Sequence, residues 1–77
     1  MNELQLIEGC RKGERRAQKE LYDAYSRKMM GVCLRYVNDR ETARDLLQDG
    51  FMKIFTSMDS YTGSGSFEGW MRKIFVN

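Results

Sequence analysis

The stretch DLLQDGFMKIF, Asp45 to Phe55, decides how this sequence folds. Its apolar residues recur at helical spacing. On a helix turning about 100° per residue, Leu47, Phe51, Ile54 and Met58 fall on one side, with Ala43 and Phe55 completing the stripe. A second set, Asp45, Gln48, Asp49 and Met52, follows the spacing i, i+3, i+4, i+7 about half a turn away. A small helical domain needs only the first face to build its core. The second fits an ordinary solvated surface, and it also fits a ridge made for docking. Two carboxylates can meet arginines on a partner, Gln48 can hydrogen-bond to it, and Met52 adds an adaptable apolar contact. A partner helix or coiled coil suits such a ridge.

Working outward, Asn38-Asp39-Arg40-Glu41 reads as the start of this helix. Asn38 or Asp39 is placed to cap it, with Glu41 positioned for a capping box, and the helix runs to about Met58. Before it, a long helix spans Glu14 to about Val37, with Ala17, Leu21, Ala24, Tyr25, Val32, Cys33 and Tyr36 as its stripe. Gly31 in its interior costs up to ~1 kcal/mol relative to alanine, which points to close helix packing there. A first helix covers Asn2 to Lys12 through Leu4, Ile7 and Cys10, and Gly13 is placed to stop it. After the central helix, Ser60 to Ser66 (SYTGSGS) breaks all periodicity and reads as a loop. Ser66 can cap a fourth helix that carries Phe67, Trp70, Met71, Ile74 and Phe75 on one face. That helix meets Val76-Asn77 with neither a glycine nor a polar tail, so it is expected to be truncated at the chain end. There are no repeats and no strand-like alternation. The expected fold is all-α, a compact bundle of four helices in a single domain, residues 1–77.

Composition narrows the function. A chain of 77 residues has a small core and marginal stability. Its net charge is +2, from 13 basic and 11 acidic residues, too mild to announce a nucleic-acid binder by itself. The basic residues are unevenly spread. Arg11, Lys12, Arg15, Arg16 and Lys19 crowd one stretch, and Arg27, Lys28 and Arg35 follow, a pattern that also suits a solvated face. Cys10 and Cys33 are the only cysteines and histidine is absent, so neither a zinc site of the usual spacing nor a disulfide framework is expected. Both cysteines fall on apolar helical positions, as small core residues of a reducing compartment. Without an apolar signal region or a bilayer-length stretch, the expected location is the cytoplasm. No cofactor is expected, and no catalysis. Asp45 and Asp49 lie one turn apart without a cleft to separate their pKa values. No histidine base, phosphate loop or activated nucleophile stands in for them.

The C-terminal end offers a different chemistry. Trp70 lies at the edge of the fourth helix's apolar face, with Lys73 and Asn77 on the adjoining polar side and Arg72 further round. An aromatic face stacks an unpaired base for ~1–3 kcal/mol while cations hold phosphates, and an asparagine amide can read a base edge. A lone tryptophan equally suits a core. Lys53 and Ser57 line up toward Tyr61, which sets a cation, a hydroxyl and a ring at the mouth of a Gly/Ser loop able to wrap an everted base.

The runs ARDLLQDGFMKIF and DSYTGSGSFEGWMRKIFVN resemble the second conserved region of bacterial RNA polymerase sigma factors, closest to the extracytoplasmic-function (ECF) group of the sigma-70 family. LYDAYSRKMMGVCLRYVNDRETA resembles the helix before them. The likeness covers nearly the whole chain. It implies a non-catalytic transcription initiation domain with two faces. One would bind the coiled coil on the clamp of the polymerase β′ subunit through Asp45, Gln48, Asp49 and Met52, supported by Phe51 and Phe55. The other would recognise and melt the promoter −10 element by capturing a flipped base of the single-stranded non-template strand. By position, Lys53, Tyr61, Ser64, Ser66, Phe67, Trp70, Lys73 and Asn77 would line that path and Arg72 would touch phosphate. An anti-sigma protein covering either face is also implied. The family's helix-turn-helix domain for the −35 element (region 4) is expected to be absent from this chain. Asp49 stands where glutamate is common, and Gly69 stands where primary sigma factors carry another tryptophan, so the wedge for strand separation is thinner. The alternatives are a helical protein-interaction module without DNA binding, and a duplex reader using the basic early helix.

Overall fold

Asn2 starts the fold with a reciprocal cap: its side chain accepts from the Gln5 amide at 2.8 Å while the Gln5 side chain accepts from the Asn2 amide at 3.0 Å. In a computed structural model of the chain, which describes residues 1–76, this cap opens helix α1 (Glu3–Arg11). Helices α2 (Arg15–Leu34), α3 (Arg40–Thr56) and α4 (Phe67–Val76) follow, with a 3₁₀ turn at Met58–Ser60 after α3. The described residues contain no strand. Asn77 lies outside them. The all-α bundle of four helices is the architecture the periodicity predicts.

Helix α2 is the axis of the bundle, packing against α1, α3 and α4, while α3 and α4 close on each other. Side chains from every helix build one core, whose largest fully buried members are Phe67, Leu21, Met29, Ile54, Met58 and Met71. Full burial of one such side chain contributes ~1.5–3 kcal/mol. Two glycines let the backbones approach. A Cβ on Gly9 would strike Ala17, bringing α1 onto α2, and one on Gly50 would strike the Phe75 ring, which seats α4 against α3. Gly31, expected to mark such an approach, is exposed with open space where its Cβ would be.

Several edges of the predicted stripes shift. Leu4 is 69% exposed and Leu6 takes its place beside Ile7 and Cys10, because the side that α2 covers passes through Leu6. In α2 the buried line is Ala17, Leu21, Met29, Val32 and Cys33, so Ala24 turns outward. That line drifts as a four-residue repeat must on a helix of 3.6 residues per turn. The helix closes at Leu34, the amides of Arg35 and Tyr36 turning back to Val32 and Cys33 at 3.1 and 3.0 Å. Tyr36 therefore falls past the helix and is 65% exposed. Asp39 caps α3 without the expected capping box to Glu41: its carboxylate accepts from both the amide of Thr42 at 2.9 Å and the hydroxyl of Thr42 at 2.6 Å. Met58 lies in the 3₁₀ turn beyond α3, fully buried.

Candidate functional site

The two faces of α3 separate cleanly. Ala43, Leu47, Phe51 and Ile54 are buried, whereas Asp45, Gln48, Asp49 and Met52 are all exposed. Met52 keeps 65% of its surface in solvent, a large apolar exposure for a side chain one residue from the core. Among the described residues, no hydrogen bond or ion pair engages the side chains of Asp45, Gln48 or Asp49. Phe51 lies under the ridge, its ring 4.9 Å from Tyr22, 6.0 Å from Phe55 and 5.5 Å from Phe75 between centroids. Gln48, Met52 and the half-buried Phe55 join Tyr22 and Phe51 around a shallow groove of about 160 Å³. Tyr22 is a member the sequence did not suggest, since it lies one position off the α2 stripe. A second, larger groove of about 690 Å³ adjoins it between α2 and α3, sharing Tyr22 and Gln48, with Arg27, Arg40 and Arg44 along it.

At the other end, the aromatic residues stack inward. Phe67 is 1% exposed and packs nearly parallel to Trp70, centroids 5.6 Å apart and planes at 19°. Tyr61 is also buried, 5.2 Å from Phe67 and 5.5 Å from Trp70, and its hydroxyl donates to the Gly65 carbonyl at 3.0 Å. Phe67 and Tyr61, expected to line a strand path, are core residues: their rings pack on each other and on Trp70, and Phe67 also meets Tyr25 of α2. Trp70 remains half-buried with part of its indole at the surface. Ser64 is exposed at the loop tip. The Ser66 hydroxyl accepts from the Gly69 amide at 2.9 Å and so caps α4. Gly63 and Gly65 take φ of 86° and 77°, a region that side chains with a Cβ avoid. Lys53 and Lys73 are exposed and carry no ion pair among the described residues. Arg72 is engaged by Glu68 at 3.3 Å, and Glu68 also holds Lys28 of α2 at 3.1 Å. Asn77 lies outside the described residues.

The remaining titratable chemistry belongs to the core. Burial, with a smaller push from Glu14, raises the Cys10 thiol above its ordinary pKa, and burial raises Cys33. Neither is a poised nucleophile. Burial, then Glu3 and Glu68, raises Tyr25 against a smaller opposing pull from Lys28. No cluster of potential metal ligands occurs among the described residues, and no helix there is long and apolar enough to cross a membrane.

Residues 21–77 match the family described as Sigma-70 region 2. The chain belongs to the sigma-70 family, in its ECF group. It is 32% identical over 73 residues to the RNA polymerase sigma-H factor of Pseudomonas aeruginosa, covering 95% of this chain and 38% of that protein. It is 33% identical over 72 residues to the ECF RNA polymerase sigma-E factor of Haemophilus influenzae, with 94% and 38% covered. For the Escherichia coli K12 sigma-E factor the identity is 32% over 72 residues, with 94% and 37% covered. The chain thus spans under two fifths of the length of these relatives. The region 2 match takes in the whole of α3, the loop and α4, hence both candidate faces, and leaves α1 and the start of α2 before it.

Proposed function

We propose that this sigma-70 region 2 domain acts in transcription initiation as a non-catalytic specificity element. The outer face of α3 docks on the β′ clamp coiled coil of RNA polymerase. The loop and α4 capture a flipped base of the non-template −10 strand. One observation carries the dock: on a helix whose inner face is wholly core, Asp45, Gln48 and Asp49 are exposed and have no side-chain partner among the described residues. Their hydrogen-bonding capacity is free for another molecule, and charge-assisted bonds to arginine are the strong ones. Met52 and the rim of Phe55 add apolar area beside them. At the strand end, Trp70 offers a partly exposed ring on an aromatic backing, and Lys53 and Lys73 supply exposed cations. Asp45, Gln48, Asp49 and Met52 contact the clamp, with Phe51 and Phe55 as support. Ser64, Trp70, Lys53, Lys73 and Asn77 contact the strand. The work is done by binding: contacts to the unpaired strand replace its lost stacking, and no covalent bond is made or broken. A mild net charge releases few counterions, so duplex DNA alone is held weakly. The partners are cytoplasmic, and an anti-sigma protein competes for these same faces.

Trp70, the one tryptophan, reports on the strand end. A single-stranded −10 oligonucleotide quenches its fluorescence more than duplex DNA does. Stronger quenching by duplex would favour a groove reader, and none by either would leave a protein-interaction module. For the dock, the clamp coiled coil is pulled down by the wild-type chain and not by Asp45→Ala with Gln48→Ala. Equal capture by a folded double variant removes the dock.

A further inference from the structure

Helix α1 precedes the matched residues 21–77, yet its last side chain reaches the strand end. An Nη of Arg11 donates to the Tyr61 carbonyl, Nε approaches the Met58 carbonyl at 3.5 Å, and the other Nη is held by Glu8 at 2.8 Å. Among the described residues the Tyr61 carbonyl has no other hydrogen-bond partner. A guanidinium is a planar fork of fixed donors, so contacts in several directions set its position in a way a flexible ammonium cannot match. Tyr61 opens the loop, directly after the 3₁₀ turn. Its carbonyl is tied by Arg11, its hydroxyl by the Gly65 carbonyl, and its ring rests against Trp70. The far side of the loop is tied separately, through Glu68 of α4 to Lys28 of α2. Between these ties Thr62, Gly63 and Ser64 are exposed and glycine-rich, so the pose of the loop rests on its ends.

We propose that Arg11 is a positioning residue for strand capture. It holds Tyr61, and through it the loop and the indole of Trp70, in one arrangement before the strand arrives. A loop ordered in advance does not lose that freedom on binding. This role rests on the strand-binding reading of the loop and α4.

The test uses the whole chain with Arg11→Met, which keeps most of the apolar stem and removes the fork. Ile7→Val is the control: it trims the buried face of α1 and leaves the Arg11 fork in place. The probe is a single-stranded DNA decamer selected from a random pool on the wild-type chain. In Arg11→Met, backbone order parameters should fall at Thr62 to Gly65 only, decamer affinity should drop about tenfold, and clamp affinity should stay unchanged. Arg11→Lys should lie between. Ile7→Val should leave the decamer affinity at the wild-type level. Equal decamer affinity in Arg11→Met and wild type overturns the positioning role and spares the strand reading. So does an equal loss with Ile7→Val, which would make the effect general stability. Lost affinity with an unchanged loop makes Arg11 a direct phosphate contact and also overturns it. If the wild-type chain selects no strand at all, the strand-binding reading itself fails and takes this role with it.

Discussion

The outer face of α3 and the loop–α4 end are built on opposite plans. On α3 the candidate polar side chains stand on a rigid helix and make no bonds among the described residues. At the loop end the two flanks are tied: Tyr61 to Gly65 and Arg11, Ser66 to Gly69, Glu68 to Lys28 and Arg72. A helix face can leave its side chains free because the backbone already fixes where they point. A loop with two glycines in the left-handed region cannot, so its order has to come from bonds at its ends. Side chains on the first surface should be removable without harm to the fold. Those on the second should serve fold and binding together.

The hardest test of that contrast is Phe67→Ala. Phe67 is fully buried between Tyr25, Tyr61 and Trp70. Its loss should cost ~3–5 kcal/mol in urea unfolding, a large share of the stability of a small domain. A loss under ~1 kcal/mol would place the ring at the surface and dissolve the distinction. The double variant Asp45→Ala with Gln48→Ala should show the reverse. Its urea midpoint should stay within ~0.5 kcal/mol of wild type, while clamp affinity should fall by more than about tenfold if both bonds form. A variant that loses stability and binding together would mean that α3 has no free face.

Trp70 lies between the two plans, half-buried and half-available. Trp70→Ala should weaken single-strand binding by ~1–3 kcal/mol and should also cost stability through the lost stacking on Phe67. Trp70→Phe should restore most of the stability and part of the binding. If both substitutions left strand affinity untouched, Trp70 would be a core residue alone.

The sequence made one of these plans far more legible than the other. The α3 ridge could be read because a helix converts spacing directly into direction: positions 45, 48, 49 and 52 share a side wherever the helix packs. The four-helix fold was legible for the same reason. Stripe edges such as Leu4 against Leu6, and Ala24 against Met29, depend on which side the neighbouring helix covers, which period alone does not fix. Gly9 and Gly50 as close-approach points, and Gly31 as neutral, are likewise properties of pairs of helices. At the loop, Tyr61 and Phe67 carry the composition of a base-binding site and the burial of a core. Arg11 is 50 residues from the carbonyl it ties. No local pattern announces such a contact.

The smallest effect sharpens the contrast within a single helix. Asp39 and Asp45 are both exposed aspartates of the α3 segment, but Asp39 is engaged by the fold. The Thr42 hydroxyl first, and then the Thr42 amide, hold its carboxyl below the ordinary aspartate range. In the unfolded chain those bonds are gone and its pKa returns to the ordinary value. The cap's charge-linked contribution is therefore fully present above the unfolded pKa and is lost as pH falls through the lower folded one. Asp39→Asn keeps a capping oxygen and loses the charge. Its melting temperature should lie slightly below wild type at neutral pH, and the two curves should converge as pH is lowered from about 6 to about 2. Asp45→Asn breaks no bond among the described residues and should melt with the wild type at neutral pH. If Asp39→Asn stayed below wild type by a constant amount down to the lowest pH, the cap would owe nothing to its charge. If Asp45→Asn destabilised the fold as much as Asp39→Asn, the outer face of α3 would be part of the structure after all, and no longer a surface held in reserve.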